Sequence, residues 1–300
     1  MKIALFGKEG QVGWELQRSL AIVGDLRATE QDELDFERLD TLRDWIRWHR
    51  PGVIVNAAAY TAVDQAESEP EKARRINAEA VGVMAEEANR LDAWLVHYST
   101  DYVFDGMKPA PYEEGDKANP LSVYGRTKWE GEEAIRSCHD RHMIFRTSWV
   151  FASRGKNFIK TILRLARERE VLNIVADQWG APTSAELLAD VTALALHRVC
   201  GGEPLPHPSG TYHLVAAGET NWCEYARYVL ALARERGVSL KATPQAVAPI
   251  PTEAYPLPAT RPKNSRLSTA KVSQAFGLRL PDWRYHVRRA VDELIAQGGS

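Results

Sequence analysis

Three hundred residues with 44% apolar content suffice for one large or two modest domains with a real core. Acidic and basic residues are interspersed and nearly balanced at a net charge of −2, which argues against a nucleic-acid surface; no apolar run approaches the roughly 18 residues of a membrane span. Gly7, Lys8 and Glu9 interrupt the first apolar run too early for a secretion signal, and Cys138, Cys200 and Cys223, few and widely spaced, fit a reducing cytoplasm rather than a disulfide or metal framework.

Lys2–Phe6 reads as a strand, followed by Gly7-Lys8-Glu9-Gly10-Gln11-Val12-Gly13 and a helical pattern from Trp14 to Leu20. Strand, glycine turn and helix is the context of a dinucleotide fingerprint. Glycines let backbone approach a pyrophosphate, and the helix N-terminus supplies N–H groups. The spacing is G-x-x-G-x-x-G, and a tight structural turn is the other reading. A second strand is expected near Asp25–Thr29. Glu30 then lies about twenty residues beyond the glycines, where a carboxylate can take ribose hydroxyls and repel a 2′-phosphate. A solvated loop glutamate is the alternative. Leu39–His49 reads as a helix and Val53–Val55 as a buried strand. The small residues of Asn56-Ala57-Ala58-Ala59-Tyr60-Thr61 would let a flat ring or ribose lie against the backbone, or serve close packing alone. Glu71–Asn89 reads as one helix, in which Asn77 would normally face solvent.

Ala93–Tyr98 is an apolar run that reads as a buried strand ending at Thr100. Ligands of open α/β sheets bind at that end of the strands. Pro120 can open a helix running from Leu121 towards Cys138. Tyr124 and Lys128 are four positions apart on it, so they share a face. A nearby cation lowers a phenol's pKa, which suits proton exchange near neutrality. A lone Tyr-x-x-x-Lys also arises by chance in many helices. Together with Thr100, the pair could hold a carbonyl and move a proton to it.

Met143–Arg146 is a further strand. Asn157–Arg169 reads as an amphipathic helix, Leu172–Val175 as a strand, and Ser184–Val199 as a helix capped by Ser184. After a Pro/Gly loop at 201–209, Tyr212–Val215 returns to the sheet. Trp222–Arg236 is a helix, Ala242–Ala259 a proline-rich extended loop, and Trp283–Ala296 the last helix. Arg261 and Arg266 could floor a diphosphate site or sit in a surface loop. The β-α alternation argues for a parallel, doubly wound α/β sheet of Rossmann type. The expected division is a dinucleotide-binding domain of 1–150 plus about 184–217, and a smaller, mostly C-terminal substrate-binding domain of about 151–183 plus 218–300.

These motifs, in this order, resemble the extended short-chain dehydrogenase/reductases, and within them the dTDP-4-dehydrorhamnose reductase family. The resemblance runs nearly end to end. It rests on G-K-x-G-Q-V-G-W-E-L (7–16), V-N-A-A-A-Y-T-A-V-D (55–64), H-Y-S-T-D-Y-V-F-D-G (97–106), Y-G-x-T-K (124–128), F-R-T-S-W-V-F (145–151), D-Q-x-G-A-P-T (177–183), Y-H-L-V (212–215) and R-P-x-N-S-R-L (261–267). It implies reduction of a dTDP-sugar 4-ketone by NADPH, with NADH also accepted. Gly7, Gly10, Gln11, Val12 and Gly13 would hold the pyrophosphate, Glu30 would face the adenosine ribose, and Asp35 and Phe36 would flank the adenine. Ala59, Tyr60, Thr61 and Tyr98 would line the nicotinamide-ribose side. Tyr124 would be the acid, Lys128 would hold ribose hydroxyls and depress the Tyr124 pKa, and Thr100 would bind the substrate oxygen. Asp101 and Trp149 would contact the sugar nucleotide. Tyr60 replaces a histidine that many members carry. The related dehydratases resemble Thr-Asp-Glu where this chain has Thr100-Asp101-Tyr102, and a tyrosine cannot replace that carboxylate in an elimination. A similar fold serves the regulatory subunit of methionine adenosyltransferase, which has no need of an intact Thr/Tyr/Lys set. Some members resemble Mg2+-bridged homodimers, and Glu15, Glu186 and Glu293 occupy the matching places.

Overall fold

The computed structural model describes residues 1–298 except 203, 204, 206 and 207, so part of the expected loop at 201–209 lies outside the described residues. The first half alternates as the sequence predicts: β1 (Lys2–Phe6), α1 (Gln11–Leu20), β2 (Asp25–Thr29), α2 (Leu39–His49) and β3 (Val53–Asn56). Two short helices follow, α3 (Val63–Ala66) and α4 (Pro70–Arg74), then a π-helical turn at Arg75–Glu79 and α5 (Ala80–Leu91). β4 (Trp94–Thr100), α6 (Val123–Cys138) and β5 (His142–Thr147) complete this half. The second half holds β6 (Val150–Phe151), α7 (Phe158–Glu168), β7 (Leu172–Val175), β8 (Trp179–Gly180), β9 (Thr183–Ser184), α8 (Ala185–Cys200) and β10 (Gly210–His213). It ends with β11 (Thr220–Asn221), α9 (Trp222–Glu235), β12 (Val247–Ile250), α10 (Ala270–Phe276) and α11 (Trp283–Gly298).

Six strands form one parallel sheet in the order β10-β5-β4-β3-β1-β2. Both faces are covered, which is why its strands read as continuous apolar runs. Ile3, Leu5, Val55, Val96 and Phe145 face one core, shared with α1 and α8. Ala4, Phe6, Ile54, Leu95 and Ile144 face the other, shared with α2 and α5. The chain leaves β1 for β2 at one edge and returns to β3 on the other side of β1. That reversal opens a crevice at the C-terminal ends of the strands.

Three expectations change. The helix expected over 71–89 is broken by the π turn, and Asn77 within it is buried rather than solvent-facing. Its Oδ1 accepts the Tyr60 N–H at 2.9 Å, and its Nδ2 donates to the Tyr60 carbonyl and to Thr127 Oγ1. α6 starts at Val123, because the Ser122 hydroxyl caps it by accepting the Gly125 N–H; Pro120 stands before the helix. The proline-rich stretch 242–259 contains β12, which pairs with β7 alone and so tolerates Pro249 as an edge strand. Among the described residues no helix is long and apolar enough to cross a membrane.

Candidate active site

The crevice is a cleft of about 530 Å³, a size suited to a cofactor and part of a substrate. Its first wall is the loop between β1 and α1. Gly7 has φ +82°, and a Cβ there would lie 2.7 Å from the Ala58 nitrogen. Gly7, Gly10, Gln11 and Val12 line the cleft. Gly13 does not: a Cβ there would lie 1.9 Å from the Gly7 carbonyl oxygen, so this glycine lets α1 pack against the loop. No side chain caps α1 at Gly10, which leaves its first N–H groups for a ligand. Glu30, Asp35 and Phe36 form the far end. Glu30 Oε2 accepts the Glu9 N–H at 2.8 Å, which ties the carboxylate to the glycine loop. Ala59 and Thr61 line the cleft. Tyr60 turns its phenol away and donates it to Glu69 at 2.8 Å.

β4 and α6 bring Thr100, Tyr124 and Lys128 to one wall of the cleft. Gly125 allows this approach, since a Cβ there would lie 2.2 Å from the Tyr102 carbonyl oxygen. Burial pushes the Tyr124 phenol up to about 12, and the Thr100 hydroxyl beside it opposes that rise. The expected depression by Lys128 is not found. Lys128 is itself buried and pushed down to about 7, with Glu132 opposing. Its Nζ lies 2.7 Å from the Tyr98 carbonyl and 3.1 Å from His97 Nε2. A tyrosine that stays protonated suits a proton donor. Tyr98 also lines the cleft, and its hydroxyl is shared with Thr192 at 2.6 Å.

Asp101 and Trp149 occupy the other side. Asp101 is buried, and burial pushes its carboxyl up to about 7 against the hydroxyls of Ser265 and Thr100. Trp149 has φ 48°, rare for a bulky residue, and its ring stacks on Trp222 at 3.7 Å between centroids. Trp222 lines the cleft too, and sequence reasoning missed it because α9 is remote in the chain. Neither Arg261 nor Arg266 is a wall of the cleft. Arg261 forms a two-pronged pair with Asp64 at 2.6 Å, and Arg266 is held by Asn264 and Glu219.

Glu15, Glu186 and Glu293 line a second, small cavity with His286. Burial, then the charge of Glu186, raises the Glu15 carboxyl. Glu186 lies 3.4 Å from His286 Nδ1 and 3.5 Å from Arg289 Nε. Among the described residues no three acidic, His or Cys side chains form a group that could hold a metal ion.

A parallel sheet with its cleft at the strand reversal, carrying Thr, Tyr and Lys on one wall, defines a nucleotide-binding oxidoreductase of Rossmann type. Sequence and structure comparisons narrow the class. The family described as RmlD substrate binding domain matches residues 1–296. The chain is 52% identical over 299 residues to a dTDP-4-dehydrorhamnose reductase of Salmonella typhimurium, covering 98% of each. It is similar to the crystal structure of a dTDP-4-dehydrorhamnose reductase from Clostridium acetobutylicum, with TM-score 0.89 and 33% identity over 98% of this chain and 99% of that one. A Bacillus anthracis dTDP-4-dehydrorhamnose reductase in complex with NADP is similar at TM-score 0.88 and 33% identity, over 97% of this chain and 99% of that one. The chain belongs to the dTDP-4-dehydrorhamnose reductase family.

Proposed function

We propose that this chain reduces the C4 ketone of dTDP-6-deoxy-L-lyxo-4-hexulose to dTDP-L-rhamnose, the last step of dTDP-L-rhamnose synthesis. The observation that carries the reading is the gathering of Thr100, Tyr124 and Lys128 on one wall of the cleft. NADPH is the donor and NADH is also accepted; bound there, the reduced nicotinamide supplies the hydride. The open N–H groups of α1 fit a pyrophosphate, and Lys128 fits the ribose hydroxyls. Thr100 holds the substrate oxygen. Tyr124 gives its proton to that oxygen as C4 becomes an alkoxide, so ketone, hydride and proton balance to the alcohol. Asp101 and the Trp149–Trp222 stack hold the sugar nucleotide. Positioning these groups is the protein's share of the rate.

The cofactor domain in this reading is 1–150 with about 184–217, and the substrate domain is about 151–183 with 218–300. The enzyme works in the cytoplasm as a homodimer. Bridging by Mg2+ at Glu15, Glu186 and Glu293 would need further oxygen ligands from the second copy. Light scattering with and without a chelator tests the dimer, and an unchanged mass removes the metal from it.

The primary test mixes the protein with NADPH and freshly made dTDP-6-deoxy-L-lyxo-4-hexulose. Loss of reduced-nicotinamide absorbance with formation of dTDP-L-rhamnose is expected. No loss with verified substrate, despite cofactor binding, sinks the reading.

A further inference from the structure

Trp149 is the last residue before β6, and its backbone is left-handed, with φ 48°. A residue with a bulky side chain rarely holds that conformation, so its surroundings must impose it. Three contacts do so. The Thr183 N–H donates to the Trp149 carbonyl at 3.3 Å and ties the turn to β9. The Trp222 indole lies against the Trp149 indole, with ring planes 18° apart. Gly180 meets the same indole from another side. A Cβ there would stand 2.9 Å from Trp149 Cε2 and 3.0 Å from Cζ2, closer than packed carbons come. The Gly180 backbone is not left-handed, so position 180 needs space and not conformational freedom.

Gly180 and Trp222 reach the ring from paired strands. β8 and β11 run antiparallel, with Thr220 beside Gly180 and Asn221 beside Trp179. Trp222 follows directly, and the Asn221 side chain caps α9 by accepting the Glu224 N–H at 2.9 Å. Trp222 is itself held. Its Nε1 donates to Gln178 Oε1 at 3.2 Å, Gln178 Nε2 donates to Thr252 Oγ1 at 3.2 Å, and the Thr252 hydroxyl donates to Asp177 at 2.7 Å. Phe158 backs the ring, with centroids 4.7 Å apart. Of these residues, Trp149 and Trp222 line the cleft. The others stand behind them.

We propose that Gly180 and Trp222 are positioning residues for Trp149: together they hold its indole as a fixed wall on which the C–H face of the substrate's deoxyhexose ring is seated. The proposal rests on the reductase reading of the cleft. A pyranose ring presents C–H groups on its faces, and an indole is an apolar surface of matching size. A ring fixed before binding loses no rotamer freedom when the sugar arrives. The gain is therefore affinity for the sugar nucleotide, not faster chemistry.

Circular dichroism of the full-length protein reads the clamp without substrate, because two stacked indoles couple and give a paired positive and negative band. The wild type is expected to show the pair and Trp222→Phe to lose it, which assigns the signal. Gly180→Ala keeps both indoles, and its methyl group must displace the Trp149 ring, so the band pair should weaken. No band pair in the wild type, or an unchanged one in Gly180→Ala, overturns the proposal. Kinetics with dTDP-6-deoxy-L-lyxo-4-hexulose then read the consequence. Gly180→Ala and Trp222→Leu should raise the KM for the sugar nucleotide about tenfold, with kcat and the KM for NADPH changed far less. Trp222→Phe, which keeps a ring against Trp149, should recover most of that loss. A wall that is only structural would move kcat and both KM values together, or none of them, and either result overturns the proposal. If Gly180→Ala does not fold, Gln178→Leu releases Trp222 Nε1, keeps both indoles and takes its place in both measurements with the same outcomes. A wild type with the band pair but no turnover sinks the reductase reading and with it the seat for the sugar. Turnover beside a Gly180→Ala protein of unchanged KM sinks the clamp alone, so the two failures are distinct.

Discussion

Lys128 and Glu132 stand on successive turns of α6, both buried, and the structure treats them in opposite ways. Glu132 receives the Ser99 hydroxyl, an Arg146 guanidinium at 2.6 Å and Arg136 at 2.9 Å. Those partners overcome burial and hold its carboxyl below the usual range. Lys128 receives a neutral ring and one carbonyl, and burial wins. A buried charge with a full set of partners ties β4, β5 and α6 together. A buried ionisable group kept short of partners stays near its switching point and is available for chemistry. Four changes sharpen or break that contrast.

The largest effect falls on the cleft. Tyr124→Phe removes the hydroxyl proposed as proton donor and leaves the ring's packing, so kcat should fall about 10²–10⁴-fold with cofactor binding retained. Equal rates in both proteins remove Tyr124 as the acid. Glu132→Ala comes next, because it strands Arg146, which is 2% exposed. A loss of about 3–5 kcal/mol is expected in denaturant unfolding. The pH dependence follows from the lowered folded-state pKa. The Glu132 contribution is whole above the unfolded value and is lost as pH falls through the folded one. A loss below about 1 kcal/mol would make the pair a surface-type bridge and break the contrast.

Lys128→Met should move stability the other way. The folded pKa is depressed from 10.5 to about 7, so an unfolded chain binds a proton there that the folded one gives up. The lysine therefore costs stability fully below pH 7, less as pH rises, and almost nothing above 10.5. The variant should be inactive yet more stable near neutrality, by on the order of a few kcal/mol, with the gain shrinking towards alkaline pH. A destabilised variant at neutral pH would mean that the ammonium is well solvated in the fold.

The sequence carried the sheet plainly, because strands buried on both faces leave unbroken apolar runs such as Ile3–Phe6 and Trp94–Val96. The Tyr124–Lys128 spacing carried the pairing of these two side chains on one wall of the cleft, since a helix turns fixed spacing into a shared face. What stayed hidden depends on contacts between distant segments. Asn77 looked like a solvent-facing helix residue until the π turn aimed it at Tyr60. His97 sits in a strand whose alternation places it beside Asn56, but the register that joins them is tertiary. Trp222 stacks on Trp149 across 73 positions, beyond any local pattern. The desolvation that opposes the Lys128 charge comes from tertiary burial, which the helical spacing does not carry.

The smallest expected effect tests whether the same logic extends to the exposed end of the cleft. Glu30 is half-exposed and has one backbone partner, the Glu9 N–H, so its charge is screened by water rather than by protein. The nearby Lys8 is already paired with Glu33 at 2.7 Å and does not neutralise it. A 2′-phosphate at the adenosine ribose would meet that water-screened carboxylate with a repulsion of about 1 kcal/mol, the value for unit charges about 4 Å apart at the dielectric of bulk water. Glu30→Gln keeps an acceptor for the Glu9 N–H and removes the charge. The KM for NADPH should fall up to about tenfold relative to that for NADH, with kcat unchanged. An unmoved ratio would put the carboxylate outside the field of the ribose, and the exposed end of the cleft would then bind by shape and backbone donors alone.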